Sequence, residues 1–386
     1  KSSKDIAIDG AEAIQKARVT PGQIATLILP GDTAWNEGNK PENIEFKNSS
    51  NKVSADIIQE GIEALKVAKN PLILVGGAAL EEKNLIKIAK IADKMNCQIK
   101  TDWFNARLDK GAGRINSVRI PYVVDNAVEV LKSFDTIIVI GARRPVAFFA
   151  YPNKPGVLTQ DSTKFVELAS LSDDITDLIE KMSDKIGVSN KVPSTTSELK
   201  IPEIPKGPIN TTSLGMVLGA LIPENAIVVD ESVTTGREFF NQTAGSCPHT
   251  WLNNCGGSIG FGMPVAIGAA IACPHQKVIA LEGDGSAMYT VQSLWTMARE
   301  NLDIVVLIFA NQSYKILQGE LTNVGVTNPG KSALEMLSLK DPSLDWVSVS
   351  KGMGVDGVRV DNIEDLVKNF KHGLKENGPF LIEVMI

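Results

Sequence analysis

Residues 277–314 read KVIALEGDGSAMYTVQSLWTMARENLDIVVLIFANQSY. Two apolar runs, Lys277 to Leu281 and Ile304 to Phe309, predict buried strands, and Val291 to Arg299 predicts the helix between them. A right-handed crossover of this length places the two strands side by side. The first run ends at Gly283-Asp284-Gly285-Ser286 and the second at Asn311, 27 residues after Asp284. Asp284 and Asn311 should therefore converge at one rim of a sheet. A carboxylate, an amide oxygen and a nearby backbone carbonyl suit Mg²⁺ or Ca²⁺, hard ions that take oxygen ligands. Gly283 and Gly285 let a phosphate approach the backbone, while Ser286 and the following helix N-terminus offer N–H donors. The combination reads as a metal-bridged diphosphate site.

Working outward, the same strand–helix alternation recurs. Thr212 to Leu221 predicts a helix, Ala226 to Val229 a strand ending at Asp230-Glu231-Ser232, and Phe380 to Val384 a last strand. Earlier in the chain, Pro71 to Val75 and Thr136 to Ile140 predict buried strands, with helices over Ile57 to Ala68 and Glu82 to Met95. Continuous apolar strands between amphipathic helices indicate α/β architecture, with doubly wound parallel sheets covered on both faces. Pro-rich residues 187–208 read as a linker. Residues 53–186 then read as one α/β domain and 209–386 as a second. Residues 1–45 hold a helix, Ala11 to Ala17, and a strand, Gln23 to Leu29. One helix and one strand bury no core of their own, so this stretch reads as the C-terminal tail of a domain whose body lies upstream of residue 1.

Composition narrows the function classes. The chain has 386 residues, 43% hydrophobic and 22% charged, with 39 Lys plus Arg against 45 Asp plus Glu. A net charge of −6 with no basic run argues against a nucleic-acid partner. Three His and four Cys leave little room for zinc, and the cysteines, none in a C-x-x-C pair, read as small buried thiols of a reducing, cytoplasmic setting. The longest apolar run, Ile259 to Cys273, is interrupted by Pro264 and is short of the ~20 residues of a bilayer span, so it reads as a core helix and no membrane is expected.

The spacing from G-D-G to Asn resembles the signature of thiamin diphosphate (ThDP)-dependent enzymes, in which that Asp and Asn bind the metal holding the cofactor's diphosphate. The usual ending is Asn-Asn; Ala310 stands at the first position here. The likeness extends along the chain. Asp230 to Gly236, DESVTTG, is similar to the family's first phosphate-contacting turn, which assigns Val233 and Thr234 to the cofactor. Gly256 to Pro264, GGSIGFGMP, is similar to the loop under the aminopyrimidine. The resemblance implies that the Gly257 carbonyl accepts from the cofactor's amino group and that Ser258 lines the same loop. Ile259 would be the bulky residue that keeps the cofactor bent. It also implies a metal bond from the Ser313 carbonyl and a cofactor contact from Tyr314. GARRPVAFFAYPNKPG (141–156) and the stretch 328–355 are similar to acetolactate synthase large-subunit homologues, and benzoylformate decarboxylases are also similar.

By that resemblance the fold is a ThDP pyrophosphate-binding domain at 209–386 plus a Rossmann-like central domain at 53–186, with 1–45 ending a pyrimidine-binding domain. The expected cofactors are ThDP and Mg²⁺ (or Ca²⁺), and the expected substrate is a small 2-oxo acid, decarboxylated or ligated to a second carbonyl. The family's sites form between subunits, which implies a homodimer or homotetramer. FAD in the central domain, as in true acetolactate synthases, is allowed without a motif that calls for it. The activating Glu of the family is expected upstream of residue 1, since no acid in 1–45 sits in its motif. Were it missing from the protein, a non-catalytic ThDP-fold subunit would be the rival reading. Other features carry less. Gly352 to Gly357 fits G-x-G-x-x-G without the strand–turn–helix context of a dinucleotide site. His249 is expected in a polar loop near the site, His275 and His372 on the surface. Tyr151 reads as packing or a substrate-facing group, and Arg143-Arg144 as a solvated turn or an anion contact.

Overall fold

The structure is a computed structural model that describes residues 2–40 and 50–386. It divides into two compact units. The first gathers residues 1–100, 132–144 and 161–191; the second gathers 101–131, 145–160 and 192–386. Residues 101–131 and 145–160, which the sequence pattern leaves inside one continuous central segment, thus pack with the C-terminal unit.

In the first unit β1 (Pro71–Val75), β2 (Gln98–Thr101), β5 (Thr136–Ile140) and β6 (Lys164–Ala169) lie in the order β2-β1-β5-β6. The pairs β1–β5 and β5–β6 are parallel. PLILV and TIIVI are buried at every position, which is why neither alternates. Helices Ala55–Val67, Glu82–Met95 and Ile175–Ile186 accompany them. Ser54 and Asp174 cap the first and third by accepting from backbone N–H groups, and Asn96 and Gly187 end the second and third in the left-handed conformation.

In the second unit seven strands run in the order β11-β12-β10-β9-β7-β8-β3. They are β3 (Arg107–Lys110), β7 (Ile227–Glu231), β8 (His249–Asn253), β9 (Val278–Gly283), β10 (Ile304–Ala310), β11 (Asp356–Val360) and β12 (Phe380–Met385). The same unit holds the two-residue strand β4 (Val118–Arg119). Only β3 pairs antiparallel, against β8. Val229, Ala280, Val306 and Leu381 form one face of a buried core with Met263, Ala266, Met297 and Trp346. Helix Gly262–Ala272 supplies Met263 and Ala266, but Ile271 on its far side is exposed, so the expected core helix is buried on one face only.

Several expectations are corrected. The first helix runs Ile6–Arg18, and residues 23–29 form no strand. Ile24 and Ile28 are 96% and 84% exposed. A strand needs a neighbouring strand for its backbone N–H and C=O groups, and no strand pairs with this segment among the described residues. The strand expected to stop at Val229 continues through Glu231, and His249 lies in a strand rather than a loop. Residues 192–208 are extended but anchored on their unit: Lys200 N–H donates to Gly245 at 2.8 Å, and Gly113 N–H to Ser197 at 2.8 Å. All four cysteines are free thiols; three are half-buried and Cys255 is exposed, so none is the fully buried thiol expected. Among the described residues no helix is long and apolar enough to cross a membrane.

Candidate active site

The parallel register of β9 and β10 pairs Glu282 with Ile308 and Gly283 with Phe309, so both strands end level. Asp284 and the Asn311 turn meet there, as the spacing predicts. One Asp284 carboxylate oxygen accepts from Gly285 N–H at 2.9 Å, and the other accepts from Gln312 N–H at 2.6 Å, across the two strand ends. Asn311 Oδ1 accepts from Ser313 N–H at 2.9 Å. Ser313 Oγ donates to Leu337 O and accepts from Gln318 Nε2. Gln312 is held at φ 54°, a conformation that costs energy in a non-glycine residue and is frequent at functional sites.

Asp284 is 3% exposed, and burial pushes its carboxyl up to about 6 although the backbone N–H groups of Gln312, Gly285 and Asp284 itself oppose the shift. A cation beside it would offset that desolvation. The Ser313 carbonyl accepts from Lys315 N–H at 2.8 Å and keeps a second lone pair. Carboxylate, amide oxygen and carbonyl therefore fit a hard divalent ion. No group of three or more His, Cys, Asp or Glu that could hold a metal occurs among the described residues; this set contains one such side chain.

A cleft of about 1180 Å³ opens on this rim. Thr234, Thr235 and Arg237 line it from the turn after β7; Asn311, Ser313 and Lys315 line it from the turn after β10, and Lys340 adds a third cation. Among the described residues no acidic side chain lines it. Three cations around threonine hydroxyls suit a polyanion such as a diphosphate. Arg237, Lys315 and Lys340 escape sequence reasoning, because each is an isolated basic residue in an unremarkable context. Val233, in the same turn, takes φ 48°, an outlier for a β-branched residue. Gly283 and Gly285 sit where expected. A Cβ on Gly285 would lie 2.7 Å from the Tyr314 ring, so Tyr314 packs directly on the G-D-G turn. Ser286 is buried in the one-turn helix Asp284–Ala287.

The loop 254–262 forms a second region at the strand ends. Asn254 closes it twice, accepting from Ser258 N–H at 3.0 Å and donating to Ser258 O at 2.8 Å. The Gly257 carbonyl accepts from Ile259 N–H at 3.0 Å and retains one lone pair. Ile259 stands 43% exposed, an aliphatic side chain turned out on a glycine loop. Gly260 is obligatory on two counts: its φ is 89°, and a Cβ would meet Tyr289 Cβ at 2.8 Å. Beneath lies Glu231, which accepts from Gly260 N–H at 2.8 Å and Gly262 N–H at 2.7 Å. Burial raises its pKa against these hydrogen bonds. Glu282 is fully buried beside it, and burial with the neighbouring Glu231 and Asp230 carboxyls holds its pKa well above the usual carboxylate range.

The remaining candidates lie in varied places. His249 opens β8, at the strand's opposite end from Asn253. It is buried with Nδ1 bonded to Cys247 O at 2.7 Å, and burial pushes its pKa down to about 4. A buried neutral imidazole there replaces the expected loop histidine. His372 is exposed beside Glu376, as expected. Arg144 stacks its guanidinium 4.5 Å over the Phe165 ring. The residues 352–357 join helix Trp346–Gly352 to β11, the reverse of a dinucleotide turn. Tyr151 belongs to an aromatic cluster with Trp103, Phe104, Tyr122, Phe148 and Phe149.

Comparison with known proteins identifies the family. Residues 237–384 match the model of the thiamine pyrophosphate enzyme C-terminal TPP-binding domain. The whole chain aligns with 74% of the acetolactate synthase large subunit-like protein IlvX of Mycobacterium tuberculosis, at 35% identity over 388 residues. The chain belongs to the ThDP-dependent enzyme family. A second relative, the benzoylformate decarboxylase of Pseudomonas aeruginosa, is 33% identical over 178 residues, 46% of this chain and 32% of that enzyme. The solved ThDP-dependent 4-hydroxybenzoylformate decarboxylase of Rhodococcus jostii RHA1 superposes on the entire chain and 75% of its own, with TM-score 0.82 at 24% identity, which shows the shared fold.

Proposed function

We propose that the chain binds ThDP and Mg²⁺ (Ca²⁺ being the alternative ion) and acts on a 2-oxo acid in the manner of an acetolactate synthase, as a carboligase (transferase) or a decarboxylase (lyase). The observation that carries this reading is the meeting of Asp284 with the Asn311–Gln312 turn across the ends of β9 and β10, beside a cleft lined by three cations and, among the described residues, no acidic side chain. When bound, ThDP supplies the nucleophilic carbon and the electron sink for loss of CO₂. The protein's own residues do the rest. Asp284, Asn311 and the Ser313 carbonyl would hold the metal. Val233, Thr234, Gly283, Gly285 and Ser286 would surround the diphosphate with Arg237, Lys315 and Lys340. Gly257, Ser258 and Ile259 would seat the aminopyrimidine, and Tyr314 would brace the G-D-G turn. Binding of ThDP to the full-length protein with and without Mg²⁺, followed by a 2-oxo acid screen, tests the proposal. The test is met if binding requires the metal and Asp284→Ala removes it.

A second reading, a benzoylformate decarboxylase-like enzyme, is favoured by one observation. Phe148 lies 3.5 Å from a Cβ placed on Gly257, with Phe104, Phe149 and Tyr122 rings 4.8, 4.7 and 6.1 Å from it. An aromatic wall at the aminopyrimidine loop suits an aryl-substituted 2-oxo acid by ring stacking. Tyr151 joins this wall, its pKa raised by burial and by Glu320. Turnover of benzoylformate above pyruvate supports this reading; the reverse order supports the first. A second copy of the chain is the proposed partner. The apolar exposed side of helix 262–272, with Ile271 at its end, supports a homo-oligomer that light scattering would detect.

A further inference from the structure

Strand β7 ends in two neighbouring carboxylates, and alternation along a strand sends them to opposite faces of the sheet. They serve different loops. Asp230 Oδ1 accepts from both the backbone N–H (3.1 Å) and the hydroxyl of Ser232, and so shapes the turn that carries Val233 and Thr234. The Arg119 charge and the Trp251 side chain, the latter on the neighbouring β8, both favour its charged form. Glu231 is 2% exposed and accepts from Gly260 N–H, Gly262 N–H and Asn254 Nδ2. Gly262 opens the helix 262–272, whose N-cap residue Phe261 provides no side-chain cap. Glu231 therefore satisfies, from another strand, an N–H that the helix's own sequence leaves unpaired. With Asn254 it fixes the loop that presents Gly257 and Ile259.

We propose that Asp230 and Glu231 are positioning residues that set the two ends of the cofactor independently: Asp230 the diphosphate turn, Glu231 the aminopyrimidine loop. Neither needs to touch the cofactor. The inference rests on the ThDP reading above and adds a division of labour to it. Glutamine at 231 keeps the size of the side chain but turns an NH₂ group toward N–H donors, so one of the two backbone bonds must break. Asparagine at 230 likewise weakens the hold on Ser232 without changing shape.

The test is calorimetric binding by the full-length protein of two probes with Mg²⁺: ThDP, and inorganic pyrophosphate, which lacks the aminopyrimidine. Glu231→Gln should weaken ThDP by about tenfold and leave pyrophosphate unchanged, a loss of the size found for outer-shell partners of a bound group. Asp230→Asn should weaken both probes by the same factor. Equal losses for both probes in Glu231→Gln, or no loss of ThDP, overturn the proposal, as does an Asp230→Asn loss confined to ThDP. If Glu231→Gln melts below the assay temperature, Asn254→Ala replaces it, with the same selective loss of ThDP expected and an equal loss again contradicting. Wild-type protein that binds neither probe sinks the ThDP reading itself. Wild-type binding with an unaffected Glu231→Gln sinks only the present inference.

Discussion

Residues 304–310, IVVLIFA, and residues 23–29, QIATLIL, are similar strings with opposite fates. The first is β10, buried at all seven positions between β9 and β12. The second is not a strand, and its Ile24, Ile28 and Leu29 are exposed. Apolar β-prone composition is a request for neighbours, not a structure. Where parallel partners flank both edges, backbone groups are satisfied and the run closes into a core. Residues 23–29 pair with no strand among the described residues, and Ile24 and Ile28 are exposed.

The sharpest way to test that contrast is charge. Val306→Asp puts a carboxylate into the centre of β10 with no partner, and should cost more than ~4 kcal/mol or abolish folding. Urea unfolding monitored by circular dichroism reads it. A loss of under 1 kcal/mol would mean that β10 is far less enclosed than described.

The rim of the same strands offers a charge already present. Asp284 is buried, and its carboxyl at about 6 stands above the ordinary 3.8. A raised acid favours the folded state only while protonated. Metal-free protein should therefore give up stability as pH rises from about 4 to about 6, by up to ~3 kcal/mol. Asp284→Asn should flatten that part of the profile, and thermal melts across pH 4–7 in chelator would show it. A wild-type profile that rises through this window would contradict the burial of Asp284. Next in size is Gly260→Ala, which adds a Cβ against Tyr289 at a φ of 89°. It should lower stability by about 2 kcal/mol. The smallest effect belongs to the other member of the comparison. Ile28→Ser in this 386-residue chain should change stability by less than about 0.5 kcal/mol. A large loss there would reveal a packing partner for residues 23–29.

What was legible in the sequence follows from the same distinction. Strands β1, β5, β9 and β10 show as unbroken apolar runs because both faces are covered, and glycine and polar residues mark their ends. The convergence of Asp284 with the Asn311–Gln312 turn followed from the two apolar runs and the crossover between them. Strands β3 and β8 did not show: RLDK and HTWLN are polar and join antiparallel, pairing residues as far apart in sequence as Arg107 and Leu252. For the same reason His249 read as a loop residue. Asp230 and Glu231 read as a turn because two acids seldom end a buried strand. Their burial is intelligible only once the backbone N–H groups of 232, 260 and 262 are seen to bond them. The cations Arg237, Lys315 and Lys340 come together only through the fold.

The central claim is that the β7, β9 and β10 ends form a metal-dependent diphosphate site for ThDP. Calorimetric titration of ThDP into the full-length protein, with Mg²⁺ and then with chelator, tests it most directly, with Asp284→Ala alongside. Saturable binding that needs Mg²⁺ and disappears in Asp284→Ala is the predicted result. A folded protein that binds no ThDP, or an Asp284→Ala variant that binds it as well as wild type, would contradict the account.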